Sequence, residues 1–308
     1  MPTLYVSHPA FLDHLTGPGH PERPDRIRAV ERALEQERFA NLARVQAPEG
    51  TRDVVELVHP AAYVDDIADA APEDGLVRLD PDTVMSPGSW KAVMHAVGGA
   101  CYAVDEVVAG RARNAFCGVR PPGHHAETAR PMGFCLFNII AAAARYAQRT
   151  HGLERVAIVD FDVHHGNGTQ DIFWSDPSVL YCSTHQMPLY PGTGSVNETG
   201  VGNIVNAPLR PGDGGDAFRD AVESRILPAL QRFGPDLVMI SAGFDAHRRD
   251  PLANLQLTEQ DFGWVTRKLM EAADRFAGGR VVSLLEGGYD LEGLARSVEE
   301  HVLALMRG

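Results

Sequence analysis

Apolar positions along the chain fall into two rhythms. Short runs that are apolar at nearly every position alternate with longer segments whose apolar residues recur every three to four places. The runs predict strands at Leu4–Ser7, Ala115–Val119, Val156–Asp162, Val179–Ser183, Ile204–Ala207, Leu237–Ser241 and Val281–Leu285. The periodic segments predict helices at Arg26–Gln36, Ser89–Ala109, Cys135–Arg149, Ala217–Phe233 and Glu259–Phe276. Thr258, with Asp261 three residues on, makes a near variant of a capping box for the last of these. Strands apolar on both faces and separated by helices imply a mainly parallel sheet covered on both sides, a three-layer α/β/α arrangement. No repeat, charge block or low-complexity linker interrupts the pattern, so residues 1–308 read as one α/β domain.

In such sheets ligands bind beyond the carboxyl ends of the strands. Here most predicted strands end in chemically capable residues. The 115–119 strand runs into Arg120-Pro-Pro-Gly-His-His125, and the 156–162 strand into Asp160-Phe-Asp-Val-His-His-Gly-Asn-Gly168. The remaining ends reach Thr184-His185, Gly243-Phe-Asp245 and Glu286-Gly-Gly-Tyr289. A strand alternates its side chains, so Asp160, Asp162 and His164 share one side if the strand runs that far. Buried acids need partners, which makes this stretch the hub of a site rather than a solvent-facing end.

Composition narrows the function. With 28 basic against 41 acidic residues the chain carries −13, the wrong sign for displacing counterions from nucleic-acid phosphates. No apolar run approaches the ~20 residues of a bilayer span. The N-terminus lacks the basic and apolar regions of a signal peptide. Four widely spaced cysteines without a CxxC pair fit reduced thiols. The expectation is a soluble cytoplasmic enzyme without a nucleic-acid or membrane partner, with self-association left open.

Asp162, His164 and Asp245 make a two-carboxylate, one-histidine set that leaves a fourth position for water, as catalytic zinc sites do. Fe2+ or Co2+ suits the same donors. His124 and His125 offer imidazoles that titrate near neutrality for proton transfer, with Asp160 and Asn167 the nearest orienting partners. Tyr289 follows two glycines and can hydrogen-bond a developing oxyanion. Phe134, after Gly133, and Tyr190 lie on Gly/Pro-rich loops suited to flank an aliphatic chain. No phosphate-binding Gly-rich loop is present.

Together the motifs resemble the histone deacetylase superfamily, which includes acetylpolyamine amidohydrolases and acetoin-utilization proteins. The matching segments are His20-Pro-Glu-Arg-Pro-Asp-Arg26, Arg120-Pro-Pro-Gly-His-His-Ala126, Gly133-Phe-Cys-Leu-Phe-Asn138, Asp160 to Gln170, Pro191-Gly-Thr-Gly194, Ser241-Ala-Gly-Phe-Asp-Ala246 and Glu286-Gly-Gly-Tyr289. Asn167 and Glu286 resemble the class II branch and its bacterial relatives.

The resemblance implies the arginase/deacetylase fold and a zinc-dependent deacetylase acting on acyl-lysine or another acylated amine. It implies zinc on Asp162, His164 and Asp245, and proton transfer by His124, backed by Asp160, and His125, backed by Asn167. It further implies tunnel walls at Phe134 and Tyr190, a substrate-accepting carbonyl at Gly133, and a substrate anchor at Asp82. Potassium would sit on Asp160, Asp162, His164, Ser183 and Thr184, and Arg26 would line a channel behind the site. Polyamine-selective relatives carry a glutamate after the Asp-Pro that follows the last zinc ligand; here Leu252 follows Asp250-Pro251, which favours lysine-type substrates. Three rival readings are an acetylpolyamine amidohydrolase, a two-metal arginase-type ureohydrolase and a non-catalytic acyl-lysine-binding module. His247, two residues after Asp245, stands where the ureohydrolase needs an acid.

Overall fold

The structure, a computed structural model, describes residues 1–307. Eight parallel strands form the central sheet: β1 (Thr3–Ser7), β2 (Ala43–Gln46), β5 (Asn114–Cys117), β6 (Val156–Asp160), β7 (Val179–Gln186), β8 (Ile204–Leu209), β9 (Leu237–Ala242) and β10 (Val281–Leu285). Their order is β2-β1-β5-β10-β9-β6-β7-β8. A small antiparallel pair, β3 (Val77–Arg78) and β4 (Val84–Met85), stands apart from the sheet. Every residue of β5, β6, β7, β9 and β10 is buried, which is why these strands carry apolar runs instead of alternation.

Two groups of helices flank the sheet. One contains α2 (Arg52–Val55), α4 (Ser89–Val108), α5 (Ile139–His151) and α6 (Asn167–Phe173). The other contains α1 (Asp25–Leu34), α7 (Gly215–Ala221), α8 (Leu227–Phe233), α9 (Glu259–Phe276) and α10 (Leu291–Arg307). A further helix, α3 (Ala61–Asp69), buries Tyr63, Val64 and Ile67. At the start of α9 the Asp261 carboxylate accepts from the Thr258 N–H and hydroxyl, each at 2.9 Å, the expected capping box.

Several elements depart from the sequence expectation, three of them near the site or within a long helix. β6 ends at Asp160, so Asp160, Asp162 and His164 do not alternate along one strand. The Asp160 Oδ1 takes the Asp162 N–H (3.0 Å) and Asp162 Oδ1 takes the His164 N–H (2.9 Å), which bends the chain off the sheet. α5 starts at Ile139, not Cys135, because the Asn138 side chain accepts from the Ala141 N–H and caps it. The 217–233 helix contains a π-turn at Val222–Ile226.

Register does the rest. Asp160 pairs with Ser183 on one side and Ser241 on the other, and Leu285 pairs with Ala242. The carboxyl ends of β6, β9 and β10 therefore lie level, and β7 runs on past Ser183 to Gln186. The loops after these strands, with the loop after β5, converge on one edge.

Candidate metal centre and active site

Asp162, His164 and Asp245 meet there. One donor atom from each lies within 4.8 Å of the others, and all three residues are buried. His164 Nδ1 is 3.0 Å from Asp245 Oδ2 and 3.2 Å from Asp162 Oδ1. The second oxygens are fixed by backbone: Asp245 Oδ1 accepts from Val163 N (2.8 Å) and Asp162 Oδ2 from Gly287 N (2.8 Å). A Cβ on Gly287 would lie 2.2 Å from Asp245 Oδ2 and 2.6 Å from Asp162 Oδ2, so only glycine lets this loop close over the carboxylates.

Electrostatics mark the trio as cation-seeking. Burial penalises a charged imidazole, yet hydrogen bonds to Asp162 and Asp245 outweigh it and raise His164 to about 10. Burial and the Asp162 charge push Asp245 up to about 7. Against its burial, Asp162 is by contrast held below the usual carboxylate range by His124 and His164. The two acids thus offer buried carboxylate oxygens that a dication fits. This is the one group of three such donors among the described residues. His247 turns away, its Nε2 3.3 Å from Glu259 and its Nδ1 accepting from Arg249 N.

The two adjacent histidines face unlike acceptors. His124 Nδ1 is 2.9 Å from Asp160 Oδ2, whereas His125 Nδ1 is 2.8 Å from Asn167 Oδ1. Asn167 spends its amide hydrogens on Glu127 (2.7 Å), so its oxygen is the atom facing His125. Both histidines thus carry hydrogen on Nδ1; His125 lines the cavity, and His124 Nε2 lies 3.9 Å from Asp162 Oδ2. Burial opposes a charge on His124, but Asp160, Asp162 and Glu286 raise it well above the ordinary value. His125 is driven well below it by burial and by the His124 and His164 charges.

A cavity of about 240 Å³ opens over this floor. His125, His164 and Tyr289 line its base, Gly133, Phe134 and Tyr190 its walls, and Asp82, Leu189 and Leu252 complete the lining. Phe134 holds a left-handed φ of 70°, an uncommon state for a side-chain-bearing residue. Its N–H donates to Thr83 Oγ1 (3.2 Å), and its ring meets His20 and Tyr289 edge-on at 4.8 and 5.7 Å. Asp82 is half-buried and raised to about 6 by burial and by its hydrogen-bonded neighbour Asp80.

Several positioning groups escaped the sequence reading. The Glu286 carboxylate accepts from Gly123 N (2.7 Å), His124 N (3.2 Å) and the Ser241 hydroxyl (3.1 Å), clamping the His-His turn. Tyr181 donates to Asp160 Oδ2 (3.0 Å), and Asp250 accepts from Tyr289 N (2.8 Å). In the sequence Asp250 stands out only as the start of Asp-Pro. Arg26 is fully buried, donates to Gly288 O (2.7 Å) and stacks 4.9 Å over the Tyr289 ring. Ser183 Oγ lies 2.9 Å from His185 Nδ1, and Thr184 follows it on β7.

A mainly parallel eight-stranded sheet with flanking helices and a buried two-carboxylate, one-histidine centre at its carboxyl edge define an arginase/deacetylase-type α/β protein. The chain belongs to the histone deacetylase family, whose domain matches residues 20–305. It is 42% identical over 277 residues to the histone deacetylase-like amidohydrolase of Pseudomonas aeruginosa, covering 88% of this chain and 73% of that one. It is 41% identical to the chloroplastic histone deacetylase 10 of Oryza sativa, covering 98% and 73%. It is 38% identical to a probable deacetylase of Archaeoglobus fulgidus, covering 100% and 87%. The crystal structure of the HDA15 HD domain superposes with a TM-score of 0.94 at 36% identity, over 100% of this chain and 90% of that chain. Among the described residues no helix is long and apolar enough to cross a membrane.

Proposed function

We propose that residues 1–308 form one catalytic domain, a zinc-dependent amidohydrolase that removes an acyl group, foremost acetyl, from a lysine-like amine. The observation that carries the reading is the pair of adjacent imidazoles with unlike acceptors, set against a cation-seeking trio at the base of a narrow cavity. Asp162, His164 and Asp245 would hold the ion; zinc suits the set best, and Fe2+ or Co2+ fits the same donors. Bound there, the ion supplies Lewis acidity, lowering the pKa of a water and polarising a carbonyl.

The chain's own residues do the remainder. Neutral His125, oriented by Asn167, takes the proton of the attacking water. His124, held as an imidazolium against Asp160, gives a proton to the departing amine nitrogen as the C–N bond breaks. Tyr289 donates its hydroxyl hydrogen to the oxygen that gains charge. Phe134 and Tyr190 flank the aliphatic chain, the Gly133 carbonyl accepts the substrate N–H, and Asp82 anchors the substrate backbone at the rim. We also assign a potassium ion to Asp160, Asp162, His164, Ser183 and Thr184, and the wall of a rear channel to Arg26. Leu252 at the mouth carries no charge to read a polyamine, which favours acyl-lysine over acetylpolyamine. Four free, buried cysteines support a reducing compartment such as the cytoplasm.

A substrate panel tests the reading. Protein of measured metal content, assayed on acetyl-lysine peptides, acetylpolyamines and longer acyl-lysines, should turn over acetyl-lysine fastest and be blocked by a hydroxamate. Stoichiometric metal and bound acyl-lysine without hydrolysis would instead establish a binding module.

A further inference from the structure

The segment between β7 and β8 carries Leu189 and Tyr190 into the cavity lining, yet it lies on the surface. From Pro188 to Thr199, Gly194 alone is buried. Its φ is +94°, and an added Cβ would stand 2.3 Å from His185 Nε2 and 2.7 Å from His165 Cγ. The glycine is therefore packed directly against two imidazoles, whose rings lie 4.8 Å apart.

Hydrogen bonds fasten the residues around it. His185 Nε2 is 2.9 Å from Gly194 O; a carbonyl only accepts, so Nε2 bears the hydrogen and Nδ1 accepts from Ser183 Oγ. His165 Nε2 is 3.1 Å from Gln170 Oε1, and Gln170 directs its amide hydrogens to Glu198, so His165 Nδ1 accepts from Thr193 Oγ1 at 2.8 Å. Glu198 completes the fastening by accepting from Gly194 N (2.9 Å) and Ser195 N (3.0 Å). Thr193 and Gly194 are thus tied to imidazoles below the loop, and Ser195 to Glu198, which Gln170 holds in turn. Tyr190, four residues upstream of Gly194, sits with its ring 5.2 Å from that of His125. Neither His165 nor His185 lines the cavity.

We propose that His165 and His185 are positioning residues, a two-imidazole clamp on Gly194 that fixes the loop bearing Leu189 and Tyr190 and so sets acyl-chain selectivity. The inference rests on the deacylase reading for its kinetic consequence, but the clamp itself has a separate readout. The variants are Gly194→Ala, Thr193→Val, His185→Leu and His185→Gln, the last keeping a donor for the Gly194 carbonyl. In Gly194→Ala and His185→Leu, KM for an acetyl-lysine peptide should rise about tenfold while kcat stays within about threefold and metal content is unchanged. The preference for acetyl over longer acyl groups should narrow, and His185→Gln should restore most of both. Amide hydrogen exchange across 187–198 should accelerate in Thr193→Val, Gly194→Ala and His185→Leu. Unchanged exchange with unchanged KM and acyl preference would overturn the clamp, as would a loss of metal and kcat together in the His185 variants. If the wild type hydrolyses no amide, the deacylase reading falls and exchange still decides the clamp. If Gly194→Ala does not fold, Thr193→Val carries the exchange test.

Discussion

The chain buries two ionic clusters side by side, and they behave in opposite ways. In the first, Glu22 lies between Arg26, Arg120 and His14, all fully buried or nearly so. All six guanidinium nitrogens find acceptors: Arg26 on Glu22, Gly288 O and Glu286 O, Arg120 on Glu22, Phe11 O and His14 O. In the second, Asp160, Asp162, Asp245 and Glu286 share only His124 and His164. Burial works against every carboxylate, but the Arg120 and His14 partners hold Glu22 well below the usual range. Asp245 and Glu286, equally buried, are pushed up to about 7. The difference is the supply of cations. One cluster holds two guanidiniums against a single carboxylate; the other is short of positive charge.

The largest expected effect breaks the second cluster's function while sparing its fold. Asp245→Asn should abolish stoichiometric metal binding and turnover together. The metal-free variant should melt no lower than metal-free wild type at pH 8, because the substitution removes a carboxylate whose charge burial and Asp162 disfavour. Differential scanning calorimetry with metal analysis reads both. Glu22→Ala should do the reverse. It leaves two buried guanidiniums uncompensated and should cost about 3–5 kcal/mol in chemical denaturation. Equal destabilisation by the two substitutions would erase the contrast.

Tyr289 joins the clusters, its ring under the Arg26 guanidinium and its side chain in the cavity lining. Tyr289→Phe should retain the fold and the metal while kcat falls about 10²–10³-fold, the typical effect of removing one oxyanion donor. Near-normal turnover would take the phenol out of the reaction.

The second cluster was largely legible in the sequence, and the first was not. Asp160, Asp162 and His164 crowd one strand end, and Asp245 and Tyr289 follow apolar runs that had to be neighbouring strands of a parallel sheet. Glu22 and Arg120 are 98 residues apart, and nothing in either segment shows that they pair. The same holds for the Glu286 side chain, whose acceptors for Gly123 N and His124 N are visible only once β10 and β5 are neighbours. β2 escaped detection because its burial alternates, as an edge strand's does, and Arg44 and Gln46 break any apolar run. α10 is absent from the sequence expectation although its apolar positions recur regularly over Leu291–Arg307.

The same contrast sorts the histidines, and it yields the smallest prediction. His164, flanked by carboxylates, is raised to about 10. His301 on α10 is equally enclosed but meets only neutral groups, Thr266 Oγ1 at 2.6 Å and Ser283 Oγ at 2.9 Å, among Phe116, Phe161 and Phe244. Burial lowers it to about 3. Above the ordinary value of 6.5 both folded and unfolded chains keep this ring neutral, so its contribution is complete there. As pH falls from 6.5 toward 3, the unfolded chain binds a proton that the folded chain refuses, and stability drops by up to about 1.4 kcal/mol per pH unit. His164 acts with the opposite sign in metal-free protein: its bound proton stabilises the fold below 6.5, and that contribution is lost as pH rises toward 10. His301→Gln, neutral at every pH, should therefore flatten the acid limb of the metal-free stability curve by about one proton. Urea denaturation at pH 7.5 and 5.5 measures the slope. An unchanged acid slope in the variant would mean that the folded chain protonates His301 as readily as the unfolded one, and that enclosure without a carboxylate does not keep an imidazole neutral here.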